Sequence, residues 1–310
     1  MTTTGNATET TSPGGPAPAR RHTAGRGTAT GAPLRSKILV TGILALFTAY
    51  FLVPVVWVFV ASTKTTSDLF NSFGLAFGGE FALFGNIADV FGTNNGIFWR
   101  WTVNSLLYSV VGALLATLLA AAAGYALAKY RFRGRELVFG LVLGGVLVPA
   151  AATALPLYLL FSQLGLANTY WAVLLPSLIS PFGLYLCRIY ADASVPDSII
   201  ESARLEGAGE GRIFFTLGLR MMAPALVTVF LFQMVGIWNN YFLPLVMLAD
   251  EELYPITLGL VTWQSYQSRD VGMYTNVVTG SMLSVIPLII AIVVLQRFWR
   301  GGLTAGAVKG

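Results

Sequence analysis

An all-α, polytopic membrane protein with six transmembrane helices is the fold class this sequence predicts, and three observations predict it. The 310 residues are 55% hydrophobic and 11% charged, with a mean hydropathy of +0.70, against roughly 45–50% and about 25% in average soluble domains. Six stretches, at about 38–61, 102–128, 137–161, 170–190, 222–248 and 275–296, reach the ~20 mostly apolar residues that a helix needs to cross a bilayer. The lysines and arginines gather between these stretches and hardly enter them.

Residues 1–36 come first, rich in Thr, Gly, Pro and Ala with no apolar periodicity, and read as a disordered tail. Arg20-Arg21 stands too far from the first apolar run to act as a twin-arginine export signal, so the first span is expected to be an uncleaved anchor. Residues 37–100 hold that span and an extracytoplasmic loop. Residues 101–296 form the transmembrane core, with a long cytoplasmic loop at 191–221, and 297–310 are a cytoplasmic tail. Pro54, Pro149, Pro156, Pro176, Pro181, Pro244 and Pro287 fall inside spans, where membrane helices tolerate them, and kinks are expected there. The small residues from Leu114 to Ala128 allow close helix approach.

Orientation follows from the bases, because Lys and Arg near span ends stay in the cytoplasm. With the N-terminus inside, sixteen of the nineteen bases fall on the cytoplasmic side, leaving Lys64, Arg100 and Arg269 outside. The formal charge of +5 thus belongs to membrane orientation, and no nucleic-acid partner is expected. The sole cysteine, Cys187, excludes an internal disulfide and reads as a small packing residue at a helix end.

Several chemistries are absent. A P-loop needs Gly-Lys-Ser or Gly-Lys-Thr, and none of Lys37, Lys64, Lys129 and Lys309 follows a glycine. The chain should not hydrolyse ATP. His22 is the only histidine, so a His-Glu-x-x-His zinc site is impossible and no metal is expected. No ionisable side chain lies between Leu137 and Cys187 apart from tyrosines, nor among acids and bases from Met221 to Ala249 or Val271 to Gln296, which argues against proton coupling. Sodium sites can be built from carbonyls and hydroxyls. A sodium-coupled carrier of a neutral solute therefore remains the alternative.

The polar groups within spans are neutral: Asn104, Gln163, Gln233, Asn239, Asn240 and Gln296, with Trp238 and Tyr241 beside the asparagine pair. They suit a hydrated path for an uncharged hydroxylated solute, and equally suit hydrogen bonding between helices. Asn104, Trp238, Asn239 and Asn240 are the path candidates.

The 191–221 loop is polar and helix-prone between two apolar spans. Ser194 and Pro196 favour a helix start, Asp197 and Glu201 its positive end, and Gly207 a left-handed stop. By itself this is either a docking element or an ordinary amphipathic surface helix. Glu201-Ser202-Ala203, Gly207, Leu217 and Leu219 resemble the cytoplasmic EAA motif of ABC-importer permeases. Ser202 replaces the second residue of that motif, Glu206 stands where sugar permeases usually carry Asp, and Arg220 replaces the closing Pro. Asn104-Ser105, Tyr125 to Ala128, Pro156-Leu157-Tyr158, Leu164 to Thr169, Trp238-Asn239 and the ending Gln296 to Gly310 resemble the carbohydrate branch, in particular the second permease of maltose-type and multiple-sugar importers.

The resemblance covers about residues 36–310 and implies the type I importer permease fold in a bacterial plasma membrane. It implies a second homologous permease, two ATP-binding cassette subunits that hold the ATP and Mg, and an extracytoplasmic solute-binding protein that delivers a sugar. It assigns ATPase coupling to Glu201, Ser202, Ala203, Glu206 and Gly207, and a C-terminal ATPase contact to Lys309 and Gly310.

Overall fold

A bilayer offers backbone amides no water to bond, so a chain this apolar satisfies them internally, as helices. The computed structural model describes the backbone of residues 34–305 and the side chains of 35–296; among these residues there is no strand. Lys309, Gly310 and nearly all of the expected N-terminal tail lie outside the described residues. Leu34 to Ser36, placed by the sequence reading in the tail, already belong to the first helix.

Two units are distinguished, residues 1–51 and 52–310. The described part of the first is the opening of α1 (Leu34–Ser62), uncharged from Ile38 onward. The second begins with the rest of α1, then α2 (Thr66–Asn71) and α3 (Leu83–Gly92). A tight turn with positive φ at Asn94, Asn95 and Gly96 leads into α4 (Ile97–Leu106), which continues through a π turn at 107–111 into α5 (Gly112–Lys129). The second span therefore begins earlier than expected, within a helical run from Leu83 to Lys129. The sequence reading begins the span at about residue 102 and assigns 37–100 to the first span and a loop.

The third expected span is two helices, α6 (Arg135–Gly144) and α7 (Ala150–Gln163), meeting at 103°. Gly144 and Gly145 weaken the helix, and Pro149 forces Val148 out of the helical region, to ψ 118°. The fourth is α8 (Tyr170–Ser177) and α9 (Pro181–Ser194), joined where the Gly183 amide donates to Ser180 Oγ at 3.1 Å. Then follow α10 (Asp197–Leu205), α11 (Glu210–Ile213), a second π turn at 214–218 and α12 (Leu219–Met221). The arm 210–221 meets α13 (Ala223–Trp238) at 80°. Met222 turns the chain and Pro224 sits in the first turn of α13, so the corner lies after Arg220.

The fifth expected span breaks again at Asn239 to Tyr241 before α14 (Phe242–Met247). The loop beyond contains α15 (Ile256–Tyr266), and α16 (Gly272–Ala305) is the last span. Among the described residues four helical runs are long and apolar enough to cross a bilayer, and taking each bent pair as one span gives the expected six.

Packing concentrates where side chains are small. Ala113, Ala116, Ala120, Ala121 and Gly124 of α5 are buried, and α5 lies against α9 so closely that a methyl on Gly124 would meet the Arg188 amide nitrogen and Cys187 Cβ at 2.7 Å. Cys187 is fully buried there, as its reading from the sequence required. A second core is aromatic: Phe98, Trp101, Trp238 and Trp263 close on Val90, Ile256 and Leu260. Tilted rings of this kind, with Trp101 and Trp263 centroids 4.9 Å apart at 58°, add directional packing to simple burial.

Candidate functional site: a docking helix and a broken span

The helix α10 is buried on one face and exposed on the other, and its sequence explains both. Ile200 and Ala203, three residues apart, turn inward onto Ala191, Val195 and Ile213. Glu201, Ser202, Leu205 and Glu206 are exposed, and Leu205 is 89% exposed, an unusual position for a leucine. Of the five expected coupling residues, Glu201, Ser202, Glu206 and Gly207 thus stand on the open side, whereas Ala203 is buried.

The helix ends by a Schellman turn. Gly207 has φ +83°, its amide donates to the Arg204 carbonyl at 2.9 Å, and the Ala208 amide donates to Ala203 at 3.0 Å. Positive φ at Gly207 is the geometry its sequence position predicted.

Two polar links tie α10 and the segment after it to the end of α5, and a third joins α10 to α11. Lys129 Nζ donates to Asp197 Oδ1 at 2.9 Å; the lysine side chain is only 5% exposed while its partner is in solvent. Tyr130 Oη donates to one oxygen of Glu210 at 2.6 Å, and Arg204 Nε donates to the other at 2.6 Å. Below them the Tyr125 ring lies 6.0 Å from that of Tyr130 and 5.3 Å from that of Phe214. The Lys129 hydrogen bond holds the Asp197 carboxyl below its usual range. Burial, then the bond to Glu210, pushes the Tyr130 hydroxyl up to about 12. The Lys129 link is therefore lost only when acid protonates Asp197 below the ordinary carboxylate range, and the Tyr130 and Arg204 links only when it protonates Glu210, whose carboxyl the Arg204 and Tyr130 hydrogen bonds also hold low. The sequence reading missed Lys129, Tyr130 and Glu210, since no local pattern joins residues so far apart.

The other expected site divides. Asn239 and Tyr241 are exposed at the break between α13 and α14, and Asn240 is half-buried. Asn239 Nδ2 donates to the Val235 carbonyl at 2.9 Å, which also accepts from the Asn239 amide, and Asn240 Oδ1 accepts from the Leu243 amide at 3.2 Å, so Asn240 satisfies backbone freed by the break. Trp238 is 2% exposed and belongs to the aromatic core. Asn104 is also 2% exposed; its Nδ2 donates to the carbonyls of Glu252 and Tyr254 at 2.7 and 3.0 Å, and its Oδ1 accepts from Tyr170 Oη at 3.1 Å.

Asn104 is one member of a clamp. Trp101 Nε1 donates to the Glu251 carbonyl at 2.8 Å, Tyr108 Oη to the Leu253 carbonyl at 3.0 Å, and Ser105 Oγ accepts from the Ile256 amide at 2.7 Å. Residues 101, 104, 105 and 108 share one face of a helix, and that face holds the 251–256 loop. Asn168, at φ +56°, accepts from the Ala249 and Asp250 amides at 2.9 Å and fixes the same loop from the other side.

The chain as a whole is similar to known proteins. Residues 112–301 match the family described as binding-protein-dependent transport system inner membrane component. The chain belongs to this family. As a member it is a multi-pass membrane protein and a permease subunit of ABC-importer type. It is 34% identical to the arabinooligosaccharides transport system permease protein AraQ of Halalkalibacterium halodurans, over 90% of this chain and 98% of that one. It is 32% identical to the lactose transport system permease protein LacG of Rhizobium radiobacter, over 86% and 93% of the two chains. A solved bacterial ABC transporter involved in the import of the acidic polysaccharide alginate contains a chain of the same fold, with a TM-score of 0.74 at 24% identity, covering 86% of this chain and 96% of that one.

Proposed function

We propose that this permease carries a neutral sugar or short oligosaccharide, received from an extracytoplasmic binding protein, across a bacterial plasma membrane. It does so beside a second homologous permease, driven by two ATP-binding cassette subunits that bind the ATP and Mg. The observation that carries this reading is the presentation of α10: Glu201, Ser202, Leu205 and Glu206 stand open on a helix closed by Gly207 and pinned to α5 through Asp197 and Glu210. A helix anchored on one face and bare on the other can take a push from outside and deliver it to the spans. Exposed Leu205 supplies an apolar contact for an ATPase cleft, and Glu201, with no ion pair among the described residues, supplies the charge.

The solute path is proposed at the break of the fifth span. Asn239, Asn240 and Tyr241 offer donors, acceptors and an aromatic face with no fixed charge, which suits hydroxyl groups. The names of the relatives, an arabinooligosaccharide and a lactose permease, support the same solute class. Asn104 and Trp238 act there from beneath, by holding the 251–256 loop and the aromatic core. The termini and α10 are placed in the cytoplasm on the distribution of bases, and a terminal ATPase contact is proposed for Lys309 and Gly310.

The test is co-purification. Wild-type chain drawn from its own membranes should bring an ATP-hydrolysing subunit with it, and Glu201→Lys should reduce the amount by about tenfold, as charge reversal in a complementary interface does. Glu201→Gln should lose less. A cytoplasmic ATPase reaches α10 only in the proposed orientation, so the experiment tests that too. Full ATPase retention by Glu201→Lys would remove α10 from the docking surface.

A further inference from the structure

The loop joining α5 to α6 reads Lys129-Tyr-Arg-Phe-Arg-Gly-Arg135, four bases in seven residues. It lines a cleft of about 820 Å³ together with Glu136, Asp192 and Asp197. Two of these acids are already engaged. Lys129 holds Asp197 at 2.9 Å, and Glu136 Oε1 accepts from Arg135 at 3.1 Å and Arg188 at 2.6 Å. Arg131 and Arg133 are exposed along the cleft and form no ion pair among the described residues; Arg131 acts on Asp197 only through space. Beside them a cavity of about 170 Å³ is lined by Arg135, Arg188 and Asp192. Arg188 Nη1 is buried with no hydrogen-bond partner among the described residues, while its guanidinium stacks 4.1 Å from the Phe139 ring centroid. Asp192, the third acid of the lining, forms no ion pair among the described residues; the four bases still exceed the three acids, with Arg131 and Arg133 as the cleft's spare donors and the unpartnered Arg188 donor in the cavity beside it.

Its border is apolar. Phe132 is 47% exposed, and α6, which starts at Arg135, buries none of its residues: Leu137 and Leu141 are each 67% exposed. A cationic cleft opening onto an uncovered apolar strip fits a molecule with an anionic head and hydrocarbon chains. We propose that this cleft binds an anionic phospholipid, the headgroup phosphate between Arg131 and Arg133 and the acyl chains along Leu137 and Leu141. Basic pockets between membrane helices hold such headgroups by charge, and guanidinium forks match phosphate oxygens. An acidic soluble partner would answer the guanidiniums but leave the strip uncovered, because α6 runs on from the cleft into the apolar arm that spans the bilayer.

The test uses the full chain purified in neutral detergent and titrated with phosphatidylglycerol or phosphatidylcholine, with bound lipid counted by native mass spectrometry. The wild type should retain phosphatidylglycerol in preference, and a photoreactive phosphatidylglycerol should label residues 129–141. Arg131→Gln with Arg133→Gln should cut the preference by about tenfold or more, at roughly fivefold per surface base. Arg131→Lys with Arg133→Lys should keep most of it, and Arg212→Gln with Arg220→Gln, the same change in charge at exposed sites elsewhere, should keep all of it. Should the glutamine pair aggregate, labelling of the wild type decides: label outside 129–141 overturns the site. Unchanged preference in the glutamine pair, or equal loss in the Arg212 and Arg220 control, overturns it as well. Displacement of the lipid by millimolar inorganic phosphate would make the ligand a free anion, and loss of a co-purifying protein with lipid preference intact would make it a protein surface; either result refutes the proposal.

Discussion

Gly207→Val is expected to release the ATPase and reduce uptake by about five- to thirtyfold while leaving membrane insertion at the wild-type level. Nothing lies within 4 Å of a Cβ added at Gly207, so the substitution meets no neighbour. Its cost is conformational only: φ of +83° is strained by ~1–2 kcal/mol for an ordinary residue, more for a β-branched one. A valine chain relieves that strain by leaving the left-handed region, which breaks the bonds from Gly207 to Arg204 and from Ala208 to Ala203. The last turn of α10 then frays, carrying Leu205 and Glu206 out of register with the docking face. Asparagine enters the left-handed region readily, so Gly207→Asn should keep most of the activity. ATPase retention and sugar uptake in the two variants, normalised to chain in the membrane, measure the difference. Equal, undiminished activity in both would mean that the turn does not position the docking face.

Gly124→Leu should do more, and earlier, by preventing the chain from folding. The added Cβ would stand 2.7 Å from both the Arg188 nitrogen and Cys187 Cβ and 2.9 Å from the Cys187 carbonyl carbon. Two of these are backbone atoms of a helix, which cannot swing aside as a side chain can. The α5–α9 contact must open, at a cost at or above about 3 kcal/mol, the upper range for overpacked interiors. Even the methyl of Gly124→Ala should be felt. Gly42→Leu, on a helix where nothing stands within 4 Å of the added Cβ, is the control and should be neutral. Fluorescence-detected size exclusion of tagged chains should show a monodisperse peak for Gly42→Leu and loss of that peak for Gly124→Leu. A monodisperse Gly124→Leu would mean that α5 and α9 are not packed this way.

Much of this was legible in the sequence, and the rest was not for identifiable reasons. Span number, the small-residue face of α5 and the stop at Gly207 are local properties, fixed by composition and by one residue's conformational freedom. Pro149 announced a kink, but a bend of 103° depends on how the two arms pack and is not written locally. Asn104 looked like a path residue because a polar side chain in an apolar run has two uses. Its hydrogen bonds go to the carbonyls of Glu252 and Tyr254 nearly 150 positions away, and carbonyls leave no mark on a sequence. The links from Lys129 to Asp197 and from Tyr130 to Glu210 were hidden by separations of 68 and 80 positions, although residues 101, 104, 105 and 108 did carry the period of a shared helical face.

The claim that this chain is a permease moved by separate ATPases is tested most directly by uptake of a labelled oligosaccharide into cells that express it with its native partners. Uptake should stop when ATP is depleted with the sodium and proton gradients held. It should also stop in Glu201→Lys cells whose ATP and gradients are intact. Uptake that persists without ATP as long as a sodium gradient is maintained would contradict the account and identify an ion-coupled carrier instead.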